Sequence, residues 1–127
     1  MTIDKEEEVI FNKLDNLIKV YNRNGDKITY SEYAQLLVDD DYKVVKQTEK
    51  NGYIISTVWL GIDHSFGRFF GSEEKSKPII FETMIFKYST CDLYQDRYAT
   101  EEEAIKGHKW AVDNLDEIIK GEENEDN

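Results

Sequence analysis

Asp63, His64 and Ser65 stand side by side after an apolar run, and Glu82 and His108 supply a further carboxylate and the chain's other histidine. An imidazole titrates near neutral pH, and a carboxylate can orient it or share a divalent cation with it. His64, Glu82 and His108, with Asp63 nearby, therefore hold the donor types of a mixed nitrogen and oxygen metal site. Their spacing matches no compact metal-binding pattern. Neighbours in sequence do not make a relay either, since a triad is defined by roles in space, so no catalytic residue is assigned. The competing reading is structural. Asp63 and His64 would tie their loop by hydrogen bonds, and His108 would be a half-buried histidine with one nitrogen satisfied. Glu82, in an apolar strand, must face solvent or find a donor, with Thr57, His64 and Arg97 as candidates. Cys91 is the single cysteine, and Asp92 beside it raises rather than lowers a thiol pKa, so it is a poor nucleophile.

The connection from Gly61 to Lys77 is the other concentration of chemistry. Its 17 residues include Phe66, Phe69 and Phe70 with Arg68, Lys75 and Lys77. Connections of that length are uncommon without a function, and exposed phenylalanines would form an interaction patch. The alternative is that the rings fold back over the core. Gly67 to Gly71 lacks the Lys-Ser/Thr of a phosphate-binding loop. Trp59, Asp63, His64, Phe66, Phe69, Phe70 and Glu82 are the candidate binding residues; His64, Glu82 and His108 are the candidate metal ligands.

These residues need elements to position them. Ile10, Leu14, Leu17, Ile18 and Tyr21 recur at helical spacing, with Asn24-Gly25 as a stop signal. Thr29-x-x-Glu32 has the form of a capping box and opens a second helix carrying Tyr33, Ala34, Leu36 and Leu37. Strands are predicted over 43–48 and 53–62, joined by Asn51-Gly52, a pair suited to a type I′ hairpin turn. Both faces of the second strand are largely apolar, which predicts a central strand covered on each side. A strand over 79–88 and an edge strand over 93–98 follow. Thr100-x-x-Glu103 opens one long C-terminal helix with Ala104, His108, Ala111, Leu115 and Ile118 on its stripe. Gly107 within that helix implies a close approach by the sheet, with the Trp59 ring as the candidate. The expected fold is α+β: an antiparallel sheet of three to four strands packed with two N-terminal helices and one long C-terminal helix. Residues 1–121 form one domain and 122–127 an acidic, disordered tail.

The 127 residues suit a single domain, and 39% hydrophobic content is enough for a core. Sixteen Lys and Arg against 27 Asp and Glu leave a net charge of −11, which repels nucleic acid. No signal peptide opens the chain, no apolar run is long enough to span a membrane, and one cysteine forms no intrachain disulfide. A cytoplasmic location is expected, with no cofactor. The apolar strand faces and aromatic loop leave room for a homodimer, although no heptad seam is present.

Two segments carry a family mark. Ser56-Thr-Val-Trp-Leu-Gly-Ile-Asp-His-Ser-Phe-Gly67 followed by Pro78-Ile-Ile-Phe-Glu-Thr-Met-Ile-Phe86, and then Arg97-Tyr-Ala-Thr-Glu-Glu-Glu-Ala-Ile-Lys-Gly-His108, resemble the signature of a family of small phage and prophage proteins. With a fainter match over 28–48, the likeness covers roughly the last three quarters of the chain. It departs from the family pattern in the longer 68–77 loop, with Phe69-Phe70 in place of small residues. The resemblance implies a phage setting and carries no activity with it. Small size, acidity and the lack of a catalytic motif then point to a non-enzymatic protein that binds a host protein, with inhibition of that protein as one outcome. One version has its acidic face occupy a nucleic-acid groove on a host defence enzyme. A small-molecule, nucleotide or metal-binding module built on the 61–77 region is the alternative, and a hydrolase using Glu82 and His64 the third.

Overall fold

A computed structural model describes residues 5–6, 9–10, 13, 18–64, 77–87 and 92–125. The fold is α+β. Its centre is a four-stranded antiparallel sheet in the order β3 (Val44–Lys50), β4 (Tyr53–Trp59), β5 (Phe81–Phe86), β6 (Asp92–Tyr98). A separate two-stranded hairpin precedes it, β1 (Val20–Tyr21) with β2 (Lys27–Ile28). Four helices are described: α1 (Tyr30–Leu37), α2 (Asp40–Lys43), α3 (Glu101–Asp113) and α4 (Leu115–Glu125).

Local sequence signals account for most boundaries. The Thr29 hydroxyl accepts from the Glu32 amide while the Glu32 carboxylate accepts from the Thr29 amide, both at 3.1 Å, which closes the capping box of α1. Thr100 accepts from the Glu103 amide in the same way at the start of α3. Asn51 and Gly52 take φ values of 54° and 84°, the positive-φ pair that lets β3 and β4 meet in a two-residue turn.

The N-terminal reading needs correction. Lys5, Glu6, Val9, Ile10 and Lys13 are helical, but the predicted helix does not reach Tyr21, since Val20 and Tyr21 form β1. Asn22 explains why: its side chain accepts from the Asn24 and Asp26 amides, both at 3.0 Å, making Asn24-Gly25 a hairpin turn rather than a helix stop. Asn-Gly serves either purpose because both need positive φ. The long C-terminal helix is also two helices. Asn114 ends α3 by turning its side-chain amide back to the Trp110 carbonyl at 2.8 Å. The apolar stripe nonetheless continues into α4, where Leu115 is fully buried and Ile118 and Ile119 pack beside it. Residues 122–125, expected in a disordered tail, continue α4.

Helices α1 to α4 share one side of the sheet. Ile55, Thr57 and Trp59 of β4 and Phe81, Thr83 and Ile85 of β5 point towards α3 and are essentially buried. The core lies there in two clusters. One gathers Val20, Tyr33, Trp59, Ile80, Phe81, Tyr98 and Ala104, and the other Ile55, Ile85, Ala111 and Leu115. Alternation sends Ile54, Ser56, Val58, Glu82, Met84 and Phe86 to the opposite, outer face. None of these belongs to or packs against either cluster, although all are half-buried or, for Glu82, buried; β4 and β5 are central in strand order, and the described core lies on their helix side.

Candidate functional site

The sequence candidates separate once placed. Trp59 is 2% exposed, its indole N–H donates to the Tyr21 carbonyl at 2.9 Å, and Tyr33 and Tyr42 meet its ring edge-on. It is a core residue that anchors the N-terminal hairpin and presents no surface to a ligand. Asp63 accepts from the Ile79 amide at 2.8 Å, and the His64 amide donates to the Ile79 carbonyl at 2.9 Å. His64 Nδ1 lies 2.7 Å from the Ile62 carbonyl, an acceptor, so Nδ1 carries the proton. Asp63 and His64 thus stitch the strand ends together. Phe66, Phe69, Phe70 and Cys91 lie outside the described residues.

The metal set is not assembled. His108 lies on the helix side of the sheet and Glu82 on the outer face, with the sheet between them. Among the described residues no group of three or more His, Cys, Asp or Glu side chains is placed to hold a metal ion.

On the helix side, His108 is 1% exposed and bonded at both ring nitrogens. Nδ1 is 2.7 Å from the Thr57 hydroxyl, Nε2 is 2.8 Å from the Thr48 hydroxyl, and Thr57 continues to Thr83 at 2.5 Å. Burial, followed by the nearby Lys46 ammonium, holds the imidazole below its ordinary pKa of 6.5, so it is neutral. One nitrogen of a neutral ring donates and the other accepts, so the four side chains form one directional chain. Both nitrogens satisfied, rather than the one expected, rules out free-base chemistry at this ring without breaking a buried bond.

Gly107, one residue before, explains itself through a different ring than expected. A Cβ there would collide with Tyr98 Cζ, Oη and Cε1, not with Trp59. Among the described residues the Tyr98 hydroxyl is buried and has no hydrogen-bond partner. Burial, ahead of the Asp96 charge, raises its phenol above the ordinary value, while the adjacent Thr83 hydroxyl pulls the other way.

The outer face holds the remaining candidate, and here Glu82 has company that sequence reasoning half found. It is 6% exposed, and its Oε2 accepts from Arg97 Nε at 2.9 Å and from Gln95 Nε2 at 2.6 Å. Of the three donors expected, Arg97 is the one that meets it, standing opposite Glu82 in the β5–β6 register. Gln95 was missed, since nothing in sequence signals a diagonal neighbour until register is known. Thr57 and His64 were the wrong donors: Thr57 lies on the other face, and His64 bonds strand ends. Around the Glu82–Arg97 pair stand Val58, Ser56 with Met84, and Ile54 with Phe86, cross-strand neighbours that are all half-buried. The arrangement is an apolar surface with one oriented acid–base pair in it.

Among the described residues no helix is long and apolar enough to cross a membrane. Compared with known proteins, the chain matches no family model, no curated protein and no solved structure.

Proposed function

We propose that the chain is a non-enzymatic interaction protein whose outer sheet face docks a partner protein. The observation that carries this is the make-up of the sheet face turned away from α1–α4. There Ile54, Val58, Met84 and Phe86, all half-buried, flank the Glu82–Arg97 pair, and none of them is in either described core cluster. An apolar patch with a fixed polar pair at its centre has the anatomy of a contact surface. The net charge of −11, with Asp39 to Asp41 and Glu102, Glu103, Asp116 and Glu117 exposed, favours a partner with basic groups around its own apolar patch. It disfavours nucleic acid as that partner. The resemblance to phage proteins makes a cytoplasmic host protein the expected partner, with inhibition of that protein a natural outcome.

The test compares tagged wild-type protein with Met84→Arg in host lysate at low and high salt. The expected result is one stoichiometric, salt-sensitive host protein retained by wild type and lost by the variant, whose circular dichroism and melting stay close to wild type. Identical capture by both proteins, or none by either, refutes the reading. A wild-type dimer that Met84→Arg converts to monomer in light scattering would assign the face to a second copy instead.

A further inference from the structure

On the opposite side of the sheet, a cleft of about 300 Å3 opens between the edge strand β3 and helix α3. Lys46, Lys106 and Lys109 stand around it, and Ile105 and Val112 form its apolar wall. The inner end is made by Thr48 and His108. Among the described residues no carboxylate lines it, in a chain whose acids outnumber its bases 27 to 16. Lys46 is there because of a backbone irregularity. Val44 pairs with Val58 and Lys46 with Thr57, so one extra residue sits in β3. That bulge lets Val45 pack on the core while Lys46 shares the helix side with Thr57. Among the described residues Lys46 makes no ion pair. Lys106 and Lys109 hold Glu102 at 3.4 Å and Asp113 at 2.6 Å, solvent-exposed pairs that exchange readily for a better anion. Ile105, at 45% exposed, is a large aliphatic side chain left open at the cleft's rim.

The hydrogen-bond chain gives this cleft a polarity. If Thr83 donates to Thr57, and Thr57 to His108 Nδ1, then His108 Nε2–H donates to Thr48 and the Thr48 hydroxyl proton is released to point outward. In the reverse sense Thr48 donates inward and offers no proton to the cleft. An anion in the cleft selects the first sense, and with it the Nε2–H tautomer of His108.

We propose that the cleft binds a small amphipathic anion. Its phosphate or carboxylate sits among Lys46, Lys106, Lys109 and the Thr48 hydroxyl, and its apolar body lies on Ile105 and Val112. The site lies across the sheet from the proposed protein-docking face, so either can fail alone.

The experiment is a 15N NMR titration of the intact chain with hexyl phosphate, hexanoate and inorganic phosphate, observing backbone amides and the His108 ring nitrogens. Saturable shifts confined to the cleft are expected with hexyl phosphate or hexanoate, at least tenfold tighter than with inorganic phosphate. The ring signals should move towards the Nε2–H form. Lys46→Gln should weaken binding at least fivefold, whereas Lys120→Gln on α4 should leave it unchanged. Three results overturn the proposal: no saturable shift with either amphipathic probe, equal affinity for inorganic phosphate, or binding indifferent to Lys46→Gln.

Discussion

Gly107→Ala tests the closest approach in the molecule. In an unencumbered helix the change is favourable by about 1 kcal/mol, because glycine loses more backbone entropy than alanine. At this site the new methyl would overlap two ring carbons and the hydroxyl oxygen of Tyr98, a residue only 8% exposed in the core cluster around Phe81 and Ala104. Overpacking of a filled core costs about 1–3 kcal/mol, and driving an aromatic ring out of it altogether costs about 3–5 kcal/mol. The overlap falls on atoms of the ring itself and is too deep for a small shift, so the cost of expulsion applies, and subtracting the propensity gain leaves an expected net loss of about 2–4 kcal/mol. With an m-value of about 2 kcal/mol per molar urea, the midpoint should fall by roughly 1–2 M. Tyr98→Leu provides the control. It is destabilising by itself, but in that background Gly107→Ala should be neutral or stabilising, because the obstructing ring is gone. Equilibrium urea unfolding of the four proteins completes the cycle. A Gly107→Ala single variant as stable as wild type, or equally damaging with and without the Tyr98 ring, would refute the packing argument.

Two further tests concern buried ionisable groups. His108 has a folded-state pKa below 6.5, so the unfolded chain takes up the proton first as pH falls. Stability should therefore be full above about pH 6.5 and decline as pH drops through the interval down to the folded value. His108→Gln should lose that part of the decline, and an NMR titration placing His108 at or above 6.5 would contradict the account. Arg97→Ala leaves the Glu82 carboxylate with Gln95 as its remaining donor among the described residues; because the Arg97 side chain is 39% exposed, the expected loss is about 1–2 kcal/mol. Arg97→Lys, which keeps charge but not the guanidinium geometry, should recover part of it in the same unfolding assay.

Much of this architecture is legible in the sequence because its signals are local. Two Thr-x-x-Glu caps, an Asn-Gly hairpin and strands of period two are each written within a few residues, and each appears in the structure. The stripe of Ala104, His108, Ala111 and Leu115 is likewise buried. The failures arise where one local signal has two uses or where a partner is distant. Asn24-Gly25 ends helices and turns hairpins equally well, and only the Asn22 side chain decides between them. Trp59, His64, Glu82 and His108 could be picked out as polar or aromatic exceptions in apolar runs. Which of them meet depends on sheet register and on which face each occupies, and a shift of one residue reverses that. The β3 bulge that aims Lys46 beside Thr48 leaves no mark in composition, so the cleft was invisible until the strands were paired.

The zipped strand ends around Asp63 have a consequence for chain length. Successive strands of the sheet are neighbours in sequence, joined by two residues between β3 and β4, 21 between β4 and β5, and five between β5 and β6. Closing 21 residues rather than five costs only about 1 kcal/mol more by polymer statistics, because the penalty grows with the logarithm of length. The bonds from Leu60, Asp63 and His64 to Ile79 and Ile80 move the point of closure outward, so the sheet ends are fixed before the rest of the connection begins. The seam thus holds β4 and β5 in register through bonds made outside the strands themselves, by residues at both ends of the connection.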